Sequence, residues 1–172
     1  MPGRTTKLAV LWGVAAIAIG AMVFIPPIAQ PIGYHTFADT RTLFGIPNFW
    51  NVASNVPFLF VGVMGLVAVL RRQYQGGLPS LHWIYVIFFI SIASVCFGSG
   101  YYHWAPSNAT LAWDRLLMAV AFMAIVAIVL GEHINEWVAQ WALLPLIVLG
   151  VFSVGYWGYT EALGRGDLLS LI

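Results

Sequence analysis

Charge is the scarcest property of this 172-residue sequence, since only 8% of its residues are charged, whereas a soluble domain carries about 25%. Hydrophobic residues make up 61% of the chain and the mean hydropathy is +0.89, so water is not its main solvent. The formal net charge of +1 and seven scattered Lys and Arg residues leave no basic face, which excludes nucleic acid as a partner. The composition predicts an integral membrane protein in contact with membrane lipids.

Cysteine and alternating polarity are also nearly absent. The single cysteine, Cys96, excludes an intramolecular disulfide, and its apolar surroundings are typical of a small buried residue. Membrane β-strands show segments of about ten residues with alternating polarity. The run from Met118 to Leu130 has no such alternation, which argues against a β-barrel.

Long apolar stretches account for most of the chain, and each is close to the roughly 20 residues that a helix needs to cross a membrane. They lie at residues 8–30, 50–70, 82–103, 114–131 and 140–160. Proline and glycine between them, as at Pro26-Pro27, Gly76-Gly77 and Pro106, are helix-ending signals. We predict an all-α polytopic transmembrane bundle of about five spans, forming one domain over residues 1–172.

Positive charge predicts the orientation of this bundle. The side of the N-terminus holds Arg4, Lys7, Arg71 and Arg72, and the other side holds Arg41, Arg165 and, at its edge, Arg115. The positive-inside rule then places the N-terminus in the cytoplasm. The first stretch resembles a signal peptide, but its poor cleavage site predicts a retained span. The eight tryptophans are expected to form belts at the two interfaces.

Polar residues at membrane depth are costly, so their positions point to function. Ser99 and His103 are four residues apart and share one helix stripe, and Asp114 returns to the same depth after a short loop. Together they could bind a divalent metal and position its water. The alternative is a hydrogen-bonded network that joins the helices without catalysis.

Other polar residues are expected at the same membrane face. His35 and Asp39 could add metal ligands, or could form a hydrogen-bonded pair at the interface. Arg115 is expected to form an ion pair with Asp114 or to snorkel to the interface. Small residues near this face, Gly98 and Gly100, predict close helix packing.

Three short motifs carry a family resemblance. They are Asn51 to Asn55, Gly98 to His103, and Trp113 to Met118. Their order and spacing resemble the alkaline ceramidase family and its bacterial relatives, part of a superfamily of seven-helix membrane hydrolases that includes the adiponectin receptors. The resemblance covers roughly residues 34 to 167 and implies an enzyme of a bacterial inner membrane.

The resemblance implies a zinc-dependent hydrolysis of a lipid amide. By position, His103 would be a zinc ligand, Asp114 the base that orients water, and Ser99 a donor on the side of the oxyanion. In the family, two further histidines on the last helix complete the zinc site, and no histidine follows His133 here. The calcium site of the family is only loosely echoed, because Asn48 stands where an acidic residue would be expected.

Two hypotheses follow from these departures. In the first, the chain is a ceramidase-like hydrolase shortened at its C-terminus, whose zinc site is incomplete in this sequence. In the second, it is a non-catalytic membrane subunit or scaffold that has a protein partner, and the cluster of Ser99, His103 and Asp114 is structural.

Overall fold

The computed structural model describes residues 30–74 and 76–163, together with the isolated helical positions 6, 9, 10, 13, 16, 17 and 20. Five α-helices lie in this part of the chain: α1 (Phe49–Ala53), α2 (Val56–Leu70), α3 (His82–Trp104), α4 (Asn108–His133) and α5 (Glu136–Ala162). The same residues contain no β-strand, only a single bridge between Leu43 and Ile46. The all-α prediction is confirmed.

Four segments of the described chain are long and apolar enough to cross a membrane: Phe49–Leu70, Pro79–Trp104, Asn108–His133 and Glu136–Ala162. They correspond to the last four predicted spans, so the chain is an integral membrane protein built as a helix bundle. The first predicted span, 8–30, lies outside the described residues apart from isolated positions.

Capping residues explain why the last two helices begin earlier than their apolar stretches. Ser107 Oγ accepts a hydrogen bond from the backbone N–H of Thr110 at 3.2 Å, and Thr110 Oγ1 accepts one from the N–H of Ser107 at 3.0 Å. This reciprocal pair is a capping box. Asn135 caps α5 in the simpler way, since its Oδ1 accepts from the N–H of Val138 at 3.2 Å. The apolar stretch of the sequence marks the membrane-embedded part of a helix, whereas the capping residues mark where the helix itself begins.

The helices pack in the order of the sequence, α2 against α3, α3 against α4, and α4 against α5. Glycine allows the close approaches. A Cβ at Gly62 would overlap Ala93, and one at Gly98 would lie 2.6 Å from Cδ1 of Leu117. Close packing at Gly98 is therefore confirmed, whereas none of the described residues lies within 4 Å of a Cβ at Gly100, so the described part of the chain shows no close approach there.

Two buried clusters lie at opposite ends of the bundle. One surrounds Leu81, which has no exposed surface, where α3, α4 and α5 meet. The other contains Tyr102, Leu111 and Trp157. Trp157 is only 1% exposed, so the prediction that it belongs to an interfacial belt is wrong. Several other tryptophans are exposed as expected: Trp50, Trp83, Trp104, Trp113, Trp137 and Trp141.

Candidate functional site

The structure brings Ser99, His103 and Asp114 together where the C-terminal part of α3 faces the first turns of α4. Ser99 and Asp114 are 7% and 8% exposed. The Ser99 side chain is hydrogen-bonded to the Asp114 carboxylate, and His103 and Arg115 interact with that carboxylate electrostatically. The expected convergence of these three residues therefore occurs, through helix register on α3 and a short connection to α4.

Two buried atoms of this cluster have no hydrogen-bond partner among the described residues, Nδ1 of His103 and Oδ1 of Asp114. A buried polar atom left unpaired costs about 1–3 kcal/mol. Two such atoms in one cluster are typical of a site completed by a ligand or by water.

A catalytic zinc usually has three protein ligands and a water. Across the described residues, no group of three or more His, Cys, Asp or Glu side chains is placed to hold a metal ion. The unpartnered Nδ1 of His103 suits one ligand position, but these residues alone do not form a zinc site.

The segment before α1 covers the cluster on one side. Asn48 Nδ2 donates to the backbone carbonyl of His103 at 2.9 Å, and the ring of Phe37 lies 4.7 Å from the imidazole ring of His103. Sequence reasoning missed both contacts. The sequence indicates a special backbone position at Asn48 only weakly, because asparagine tolerates the left-handed region. In the structure the φ of Asn48 is 48°.

His35 joins this segment to both α3 and α4. Its Nδ1 lies 3.0 Å from Oη of Tyr102, and its Nε2 lies 2.8 Å from Oδ1 of Asn108. The predicted pairing of His35 with Asp39 is therefore wrong, because both ring nitrogens of His35 have other partners. A side chain that joins three segments cannot be recognised from local spacing.

Arg115 forms no ion pair with Asp114 among the described residues, although its charge acts on that carboxylate. Its Nη2 donates to Oε1 of Gln30 at 2.7 Å, and its guanidinium carbon lies 4.2 Å from the centre of a Trp157 ring. The backbone N–H of Gln30 donates to Oε1 of Glu161 at 2.9 Å. Arg115 thus connects α4 to α5 and to Gln30, which precedes α1, whereas Asp114 interacts with Ser99.

Asp39 organises the loop before α1. Its carboxylate accepts hydrogen bonds from Nε of Arg41 and from the backbone N–H of Trp50, the latter at 3.0 Å. The hydrogen bond from Arg41 holds the pKa of Asp39 below its ordinary value of 3.8. A calcium ion requires six to eight oxygen ligands. Asp39 is the only acidic residue between positions 30 and 55, and it is paired to Arg41, so these residues do not fit calcium.

An apolar cavity of about 410 Å³ reaches Ser99 from the membrane-embedded part of α2, α3 and α4. Its volume lies within the usual range of ligand pockets, roughly 300–1,000 Å³. The lining is Phe58, Phe88, Ile92, Val95, Ser99, Met118, Ala121, Phe122 and Ile125. Ser99 is the single polar side chain among these, so the cavity connects an apolar space to the polar cluster.

Comparison with known proteins gives one family. A family model described as Ceramidase matches residues 43–163, a range that includes all three residues of the cluster. Neither a search of curated proteins nor a search of solved structures gave a match.

Proposed function

The chain belongs to the ceramidase family, and from this premise we propose that it is a membrane-embedded hydrolase that cleaves the amide bond of a lipid at Ser99, His103 and Asp114. The observation that carries the proposal is the cavity, in which an apolar wall for a hydrocarbon chain ends at Ser99, the hydrogen-bond partner of Asp114. The substrate class is an N-acylated lipid amine.

The cavity supports the choice of a lipid substrate. Its walls are aromatic and aliphatic side chains on three helices, and Ser99 lies where the polar cluster begins. An acyl chain in the cavity would exchange contacts with neighbouring lipids for contacts with these side chains. The cavity would therefore contribute shape complementarity and positioning of the substrate. The amide group would then lie beside Ser99 and Asp114. Holding the reacting groups together in this way raises their effective concentration.

The chemistry assigned to the cluster is attack of water on the amide carbonyl. Oδ1 of Asp114 is the free acceptor that takes a proton from the water. The C–N bond then breaks, the amine leaves with that proton, and the fatty acid is the second product. Ser99 is hydrogen-bonded to the carboxylate, so to donate to the developing oxyanion its hydroxyl must first turn away from Asp114.

Zinc is the cofactor that the family resemblance implies, and when bound it would polarise the carbonyl and acidify the water. His103 is the described residue whose free Nδ1 suits this metal. The described residues do not supply three protein ligands at one place. Zinc content is therefore a measurement separate from the assignment of Ser99 and Asp114.

The test is release of fatty acid from a long-chain ceramide by the full chain in lipid nanodiscs, with zinc measured in the same preparation. Ser99→Ala is compared with Ser91→Ala. Ser91 is a matched control, since it lies two turns earlier on α3, is 6% exposed, and donates to the carbonyl of Ile87 at 2.8 Å.

We expect Ser99→Ala to lower the rate at least about tenfold and Ser91→Ala to leave it within about twofold. If the native chain binds no zinc and releases no fatty acid, while Ser99→Ala changes only the stability, the non-catalytic alternative is correct. Equal loss of rate in the two variants would contradict the assignment of Ser99.

A further inference from the structure

A second cavity lies at the other end of the bundle, where α2 ends and α3 begins. It has a volume of about 510 Å³, and its lining includes Tyr74, Tyr85, Phe89, Gln73 and Glu132. Tyr85 is 14 residues before Ser99 on α3, which is about 21 Å along a helix. This cavity is therefore separate from the cluster and plays no part in the proposed hydrolysis.

The carboxylate of Glu132 is held towards this cavity by Tyr85. Oη of Tyr85 donates to Oε1 of Glu132 at 2.7 Å and accepts the backbone N–H of Leu78 at 3.0 Å. These two hydrogen bonds fix the phenol ring and, through it, one oxygen of the carboxylate. Within the described part of the chain, Glu132 forms no ion pair.

Aromatic rings line the same cavity as Glu132. The rings of Tyr74 and Tyr85 have centroids 6.3 Å apart and are tilted by 42°, so they form a corner. Phe89 lines the cavity one helical turn after Tyr85. Arg72 contacts the Tyr74 hydroxyl at 3.5 Å but is not one of the lining residues.

We propose that this cavity binds a quaternary ammonium group of the choline type between Tyr74, Tyr85, Phe89 and Glu132. Aromatic faces attract a cation within about 6 Å of the ring centre, and rings combined in a cage recognise quaternary ammonium. One carboxylate among aromatic rings suits a large, weakly hydrated organic cation. A divalent metal needs several oxygen ligands, and the described residues provide no group of three acidic or metal-binding side chains.

The position of the cavity is consistent with two sources of this group. The ends of membrane spans lie near the lipid headgroups, so a choline-bearing lipid could place its headgroup there. A free choline-type solute could enter from the aqueous side of the 71–81 loop. The recognised chemistry is the same, and the experiment distinguishes the sources.

The experiment measures the thermal stabilisation of the full chain by choline in a maltoside detergent at constant ionic strength. Its neutral isostere, 3,3-dimethylbutan-1-ol, is the ligand control. A ligand that binds the folded state raises the unfolding temperature in a concentration-dependent way. We expect a saturable shift with choline and little or none with the isostere.

Glu132→Gln is compared with Glu136→Gln. Glu136 lies four residues later and lines a neighbouring cavity but not this one. We expect the half-saturating choline concentration to rise at least about fivefold in Glu132→Gln and to stay within about twofold in Glu136→Gln. Phe89→Leu keeps the carboxylate of Glu132 and should reduce the preference for choline over the isostere. This variant tests the proposal if Glu132→Gln fails to fold.

The source is identified by repeating the titration in phosphatidylglycerol nanodiscs with and without phosphatidylcholine. Loss of the choline response when phosphatidylcholine is added indicates a lipid headgroup, and an unchanged response indicates a free solute. Equal stabilisation by choline and its isostere, or equal responses of the two glutamate variants, would overturn the proposal.

Discussion

Asn48 donates its side-chain amide to the backbone carbonyl of His103 at 2.9 Å, while its own backbone is left-handed with a φ of 48°. The carbonyls of the last helical turn have no partner within the helix, and His103 lies one residue before the end of α3. Asn48 therefore supplies a hydrogen-bond donor to the C-terminal end of α3, which carries the imidazole of His103. The same hydrogen bond holds the loop before α1 against that end.

Replacing Asn48 tests this contact. Asn48→Gly loses the amide but keeps a residue suited to positive φ, whereas Asn48→Ala loses the amide and also strains the backbone. We expect a decrease in the free energy of unfolding of about 1 kcal/mol for glycine and about 2–3 kcal/mol for alanine. Denaturant unfolding in mixed micelles measures both. Equal values for the two variants would show that the left-handed backbone is not retained.

Close packing at Gly98 gives a second prediction. A larger side chain there must displace Leu117 and approach the Trp113 carbonyl, which a Cβ at Gly98 would meet at 3.1 Å. Gly98→Leu should lower the free energy of unfolding by about 1–3 kcal/mol. Gly100→Leu is the control, since no described residue lies within 4 Å of a Cβ at that position, and it should be neutral or slightly stabilising. A loss in Gly100→Leu as large as in Gly98→Leu would contradict this explanation.

The sequence predicts those parts of the site that depend on local geometry. Ser99 and His103 follow from the four-residue repeat of a helix, and Asp114 follows because a short loop returns the chain to the same depth. The contacts of His35 with Tyr102 and Asn108 span 67 and 73 residues, respectively. No periodic pattern encodes such contacts, since they depend on how the segment before α1 folds back over two helices.

Arg115 shows a different limit of sequence reasoning. Its neighbour Asp114 is the obvious partner by sequence, but adjacent residues of a helix point about 100° apart. Asp114 faces Ser99 on α3, and Arg115 faces Trp157 on α5. The offset of about 100° between successive residues of a helix therefore directs two adjacent charged side chains towards different neighbouring helices.

The pair of Asp39 and Arg41 predicts a pH dependence. Because the hydrogen bond from Arg41 lowers the pKa of Asp39 below 3.8, the contribution of this pair to stability is present above the ordinary pKa and is lost as the pH falls through the lowered one. In Arg41→Met, we expect the pKa of Asp39 to rise towards 3.8. Carboxyl NMR titration in micelles measures it, with Arg71→Met as the control. An unchanged pKa in Arg41→Met would mean that the backbone N–H groups of Trp50 and Arg41, and not the Arg41 side chain, stabilise the carboxylate.

The role of Asp114 gives the most direct test of the proposed chemistry. Asp114→Asn keeps the shape of the side chain and an oxygen that accepts from Ser99, but it removes the basic carboxylate. If Oδ1 accepts the proton of the attacking water, kcat should decrease about 10²–10⁴-fold, the usual contribution of a general base. KM should change little, because the apolar cavity is intact.

The matched control for this test is Asp39→Asn, which removes a carboxylate from the loop before α1. It should leave kcat within a few-fold of the native value, since the carboxylate of Asp39 contacts Arg41 and the Trp50 N–H. The free energy of unfolding separates catalysis from structure. A rate loss in Asp114→Asn without loss of stability supports a base, whereas loss of stability with an unchanged rate per folded molecule would make Asp114 part of a structural network between α3 and α4.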